Sequence, residues 1–75
     1  MEYCVYYRDL NDTRINICTC KKEEWADIIA KKLAGISKEN YPVGYTYAPK
    51  PGQVVRNDVC IEYRRNFKGV VEKLW

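Results

Sequence analysis

Histidine is absent from the 75 residues, and with it go the commonest general base, the usual partner of a serine or cysteine nucleophile, and a frequent zinc ligand. Glycine occurs only at 35, 44, 52 and 69. Spread so widely, the glycines form neither G-x-x-x-x-G-K-[ST] nor G-x-G-x-x-G, and no loop is marked out to cradle a phosphate. Apolar runs are short: even residues 26–30 are interrupted by Asp27, whereas a spanning helix needs about 20 apolar residues. The first residues carry no basic leader, apolar stretch or small-residue cleavage site, so no export signal is read there and the cytoplasm is the expected compartment.

Cysteine is present four times, at 4, 18, 20 and 60. The C-x-C at 18 and 20 is not the paired spacing of structural zinc sites, and no metal is expected. In a reducing compartment free thiols are favoured over disulfides. Cys4, Cys18 and Cys60 then read as small core-filling residues. Cys20 would sit in the first turn of a helix, where a dipole can stabilise a thiolate. Without histidine or C-x-x-C it is read as incidental. Asp9, Asp12, Asp58 and Glu62 are read as solvated carboxylates. No catalytic residue and no cofactor is expected.

Hydrophobic residues make up 47% and charged residues 31% of the chain, the balance of a globular protein rather than a disordered one. A domain this small buries only about 60% of its unfolded surface, so residues 1–75 are read as a single compact domain. The net charge is +3. Residues 1–37 hold six basic and six acidic side chains and residues 38–75 hold seven and four, so the excess is C-terminal.

Residues 2–8 and 13–18 are rich in Tyr, Val, Ile and Cys and flank Asp9-Leu10-Asn11-Asp12, the pattern of a β-hairpin. Period-two alternation puts Tyr3, Val5, Tyr7, Ile15 and Ile17 on one core face. Val5 is then expected opposite Ile17, and Cys4 opposite Cys18. From Thr19, a candidate N-cap, a helix is expected to bury Trp25, Ile28, Ile29, Leu33 and Ile36, with the Lys32 stem snorkelling at the edge of the stripe and Gly35 just past its end. Residues 41–48 read as a strand with Val43, Tyr45 and Tyr47 on one face, and residues 49–52 as a turn. Residues 54–65 read as another strand with Val59, Ile61 and Tyr63 inward. Phe67, Val70, Val71 and Leu74 fit a helix capped by Asn66, with a terminal strand as the alternative. The fold class is α+β: a small antiparallel sheet, order ββαββ plus a terminal helix or strand, with the central helix on one face.

Seven tyrosines exceed what one small core needs, and tyrosine and arginine are enriched at interfaces. Tyr6, Tyr41, Tyr63, Arg64, Arg65 and Lys68 are therefore the candidate partner-binding residues. The expected function is non-enzymatic: a protein-binding module, an inhibitor or regulator of a larger protein or complex, whose partner presents an acidic surface. A small chain of this kind suits a phage or mobile-element protein directed at host defence machinery. The alternative is a single-stranded nucleic-acid binder that stacks bases on strand tyrosines and neutralises phosphates with Arg56, Arg64, Arg65 and Lys68. Pairing of edge strands would also permit a homo-oligomer.

Overall fold

The computed structural model describes residues 2–48 and 60–74. The expected turn at residues 49–52, the first part of the expected fourth strand, Arg56 and Asp58 lie outside the described residues. The chain forms β1 (Glu2–Arg8), β2 (Arg14–Cys20), α1 (Glu23–Ile36), β3 (Val43–Ala48), β4 (Cys60–Arg65) and β5 (Val71–Lys73). The strands make one antiparallel sheet, order β2-β1-β3-β4-β5. The helix packs on one face of it, above β1, β3 and β4, and touches β2 and β5 only at its margins. The terminal element is a strand, so the helix expected over residues 67–74 does not form.

Asn66 explains why. Its side-chain oxygen accepts from the backbone N–H groups of Lys68 and Val70 at 2.9 and 3.0 Å, as an N-cap would, but Gly69 at φ 84° turns the chain back and Asn66 N–H reaches Val70 O at 2.8 Å. An Asx residue offers the backbone a turn as readily as a cap. The β1–β2 turn is built the same way. Asp9 accepts from Asn11 and Thr13 N–H at 2.9 and 3.0 Å, and Asp12 takes the positive φ, 61°.

The hairpin register departs from strict alternation. Tyr7 lies opposite Ile15 as expected, but a bulge between Val5 and Tyr6 places Val5 opposite Cys18 and Cys4 opposite Thr19. One extra residue in β2 thus brings Cys18 and Cys20 to the helix side, where Cys20 joins the core, and Cys4 is left on the other side. The expected Cys4–Cys18 apposition does not occur, and all four cysteines are free. Thr19 stays in β2 and caps nothing. Lys22 holds the N-cap position in an extended conformation with no side-chain bond, and the first turn carries Glu23 and Glu24 at the positive end of the dipole. Gly35 lies inside the helix, which continues to Ile36.

The helix is rotated by about one residue, roughly 100°, from the expected stripe. Its buried row is Ala26, Ala30 and Ala34, all fully covered, while Trp25, Ile28 and Ile36 remain exposed. The sheet supplies the bulk at this interface: Val5, Val43, Tyr45 and Tyr63 form the core with the alanines, and Tyr3, Tyr7, Ile61 and Val71 pack around them. Short side chains let the helix approach rings that stand up from the strands. Tyr63 donates to Asp27, and Tyr45 to Glu23 at 3.5 Å, so the hydroxyls are paired with the helix. At the far end the Arg65 guanidinium donates to Gly35 O and Ser37 O at 3.1 and 2.8 Å, satisfying carbonyls that the helix end leaves open.

Candidate interaction surface

The rotation of α1 leaves its bulky row beside β2. Leu33 and Ile36 meet Tyr7, Ile17, Tyr41 and Val43 around an apolar cleft of about 260 Å³. Trp25 and Ile29 precede Leu33 at four-residue steps and extend the same row toward the helix start. Ile15, Ile17, Trp25, Ile28 and Ile36 are 37, 44, 57, 50 and 71% exposed, and such a cluster is what monomers seldom leave bare without an interaction role. Among the described residues, β2 is paired only through β1, so the backbone along its outer side is also open to a partner. Lys21, Lys22 and Lys32 are exposed around this flank, and the Lys22 ammonium lies 5.5 Å from the Trp25 ring centre.

The expected partner-binding residues divide between four places. Arg64 and Lys68 are exposed and share a recess of about 560 Å³ with Arg65, Asn40, Asn66, Phe67 and Glu72. Phe67 is almost fully exposed at the tip of the β4–β5 turn, with the Lys68 ammonium 5.9 Å from its ring centre. Arg65 is committed to the helix end. Tyr41 is half-buried and stacked on Tyr7, ring centres 5.6 Å apart. Tyr63 is buried under α1, where burial and then its bond to Asp27 push its hydroxyl up to about 12.

Tyr6 is fully buried on the sheet face away from α1, within a polar network. Gly44 sits between Tyr6 on β1 and Glu62 on β4 in the register. Having no side chain there, it leaves the space in which Tyr6 Oη donates to Glu62 Oε2 at 2.5 Å. Arg8 closes the other carboxylate oxygen with two bonds of 3.1 and 2.8 Å. The Arg14 guanidinium lies 4.7 Å from the centre of the Tyr6 ring and reaches Cys60 Sγ at 3.4 Å. Glu62 is thus a buried, paired carboxylate, not the solvated one expected. A charge removed from water needs such partners. Burial first, then the bonds to Cys60 and Glu62, raise the Tyr6 pKa well above that of a free phenol. Burial likewise raises the Cys4 and Cys18 thiols, which lowers their thiolate fraction and hence their reactivity.

Among the described residues no three His, Cys, Asp or Glu side chains are grouped to hold a metal ion, and no helix is long and apolar enough to cross a membrane. Comparison with protein-family models, curated proteins and solved structures finds no match. Sequence periodicity identified the members of the exposed row but assigned them to the core. The signal for the reverse assignment is the alanine row at 26, 30 and 34, set against a sheet rich in tyrosine.

Proposed function

We propose that this chain is a small non-enzymatic protein-binding module that acts as an inhibitor or regulator by occupying a surface of a larger protein. The observation that carries the reading is the apolar flank formed by Ile15 and Ile17 of β2 with Trp25, Ile28 and Ile36 of α1, next to a strand edge that is unpaired among the described residues. Apolar anchors fringed by lysines suit a partner with an apolar strip and an acidic rim. Work in the cytoplasm, and the role of a phage or mobile-element product against host machinery, belong to the same proposal and rest on size and the lack of a catalytic constellation.

The second reading, single-stranded nucleic-acid binding, draws its support from Phe67 with Arg64 and Lys68, one ring beside two cations. Tyr6 and Tyr63 are buried with their hydroxyls bonded, so neither offers a face to a base. Affinity capture from lysate, with and without nuclease, separates the readings. A stoichiometric protein that survives nuclease and is lost with Trp25→Glu/Ile17→Glu, but kept with Arg64→Glu/Lys68→Glu, is the expected result. Recovery of nuclease-sensitive material alone, abolished by Arg64→Glu/Lys68→Glu, would replace it with the second reading.

A further inference from the structure

The β2 bulge divides the four thiols between the two sides of the sheet. Cys18 and Cys20 face the helix, opposite Val5 and Tyr3. Cys4 and Cys60 lie on the other side, where Cys60 Sγ meets Tyr6 Oη at 3.2 Å. Cys4 and Cys60 each stand opposite Thr46 in the register, so β3 holds them two strand spacings apart, about 10 Å. Cys18 and Cys20 are instead neighbours on one face of one strand. Burial first, then the charge of Cys20 and a side-chain bond to it, raise the Cys18 pKa, so the two thiols lie within reach of one another.

The spacing of C-x-C in a strand decides what such a pair can hold. Residues i and i+2 are about 6.7 Å apart, and their Cβ atoms point the same way at about the same separation. A disulfide needs Cβ atoms about 3.5–4.5 Å apart. The pair is too wide for that bond while β2 stays extended, and both thiols are free. A metal ion between the sulfurs relaxes the requirement. Two metal–sulfur bonds of about 2.3 Å in line hold sulfurs about 4.6 Å apart, which asks each side chain to lean inward by about 1 Å.

Ligand number then selects the ion. Structural zinc takes four ligands, and among the described residues no third thiol, carboxylate or imidazole is grouped with this pair. Soft thiolates select copper(I), a closed-shell cation that is stable between two of them. Two thiolates around a monovalent cation leave one negative charge. The helix begins at Glu23, three residues beyond Cys20, and its N-cap Lys22 makes no side-chain bond to the first turn. Lys21 and Lys22 offset Glu23 and Glu24 there, which leaves the positive end of the helix dipole to favour the anionic complex.

We propose that Cys18 and Cys20 form a two-coordinate site for copper(I). Cys18, half-buried on an edge strand, takes the ion from a carrier ligand in solution, and the buried Cys20 closes the chelate. Both thiol protons leave to solvent, the carrier ligand is released, and the copper keeps its oxidation state. Burial disfavours a free thiolate at Cys18, but a coordinated cation displaces the proton outright. The site is separate from the proposed binding flank and stands without it.

The other two thiols supply the control. Cys18→Ser/Cys20→Ser and Cys4→Ser/Cys60→Ser each keep two thiols and differ only in where these lie. The reduced full chain is titrated anaerobically with copper(I) against bicinchoninate, whose coloured copper complex reports the competition. Wild type and Cys4→Ser/Cys60→Ser are expected to bind one ion per chain with the same affinity. Cys18→Ser/Cys20→Ser is expected to bind at least about a hundredfold more weakly, because the second thiolate no longer closes within the same chain. X-ray absorption of the loaded wild-type chain is expected to show two sulfur neighbours. Equal affinity in the two double variants would mean adventitious thiol binding and overturn the proposal, as would a third sulfur neighbour or one ion shared by two chains. Since Cys20 belongs to the core, Cys18→Ser alone repeats the measurement at the half-buried position, with circular dichroism verifying the fold. Wild-type affinity in that folded variant would likewise overturn the site.

Discussion

At the scale of single residues, Gly44 and Glu62 define the side of the sheet away from the helix. A Cβ at Gly44 would lie 2.4 Å from Ile61 O and 2.7 Å from Glu62 Cγ. The first of these is backbone and cannot rotate away, so a methyl group must push β3 and β4 apart or displace the Glu62 chain from Tyr6. Gly44→Ala is expected to cost about 1–3 kcal/mol by overpacking, toward the upper end because the carboxylate also loses bonding geometry. Urea unfolding measures it, and a variant as stable as wild type would show that the Tyr6–Glu62 bond does not depend on the empty position. Sequence alone marked Gly44 as facing away from the core and Glu62 as outward, both correct as to face. It could not reveal the burial of Glu62, because the partners, Tyr6 and Arg8, are more than fifty residues away in the chain.

At the scale of elements, local chemistry and period-two alternation were enough for the strands and for the presence of α1, while rotation and register were set by contacts between elements. The stripe from Trp25 to Ile36 is a strong amphipathic signal, yet the sheet's rings already fill the space beneath, and the alanine row fits closer. The β2 bulge likewise escapes a strict alternation reading, since one inserted residue brings Cys18 to the helix side along with Ile17. The two turns show how little separates a hairpin from a helix start. Both rest on one Asx side chain and one left-handed residue, Asp12 in the first and Gly69 in the second. In the second turn glycine carries the conformation without a Cβ, so Gly69→Ala is expected to destabilise the chain by about 1 kcal/mol. Space is not the cause, as nothing lies within 4 Å of the added Cβ. Thermal unfolding would show a lower midpoint, whereas an unchanged midpoint would mean that β5 contributes nothing to the cooperative unit.

At the scale of the whole molecule, the absence of histidine makes stability flat across neutral pH, with loss at both extremes. On the acid side Asp27 is the informative group. Burial alone would raise its pKa, but the bonds from Tyr63 and Lys31 outweigh this and hold it below the ordinary value. Its contribution is therefore present above the ordinary carboxylate range and lost as the pH falls through the folded value. On the alkaline side the shifts run the other way. Cys4, Cys18, Tyr6, Tyr45 and Tyr63 all have raised pKa values, chiefly through burial. The folded chain holds protons that the unfolded chain releases, so stability declines once the pH passes the free-thiol value of about 8.5 and falls more steeply beyond about 10, where free phenols ionise. Tyr63 would reach ionisation in place only at about 12. Tyr6 lies on one side of the sheet and Tyr45 and Tyr63 on the other, beneath the helix, so releasing all three protons requires both sides to open. The expected result of an alkaline titration is a single step in which phenolate absorbance from these buried tyrosines rises as the circular dichroism signal collapses. Ionisation of Tyr6 with the helix signal intact would separate the two sides of the sheet into independent units, and the chain would then not unfold as one cooperative domain.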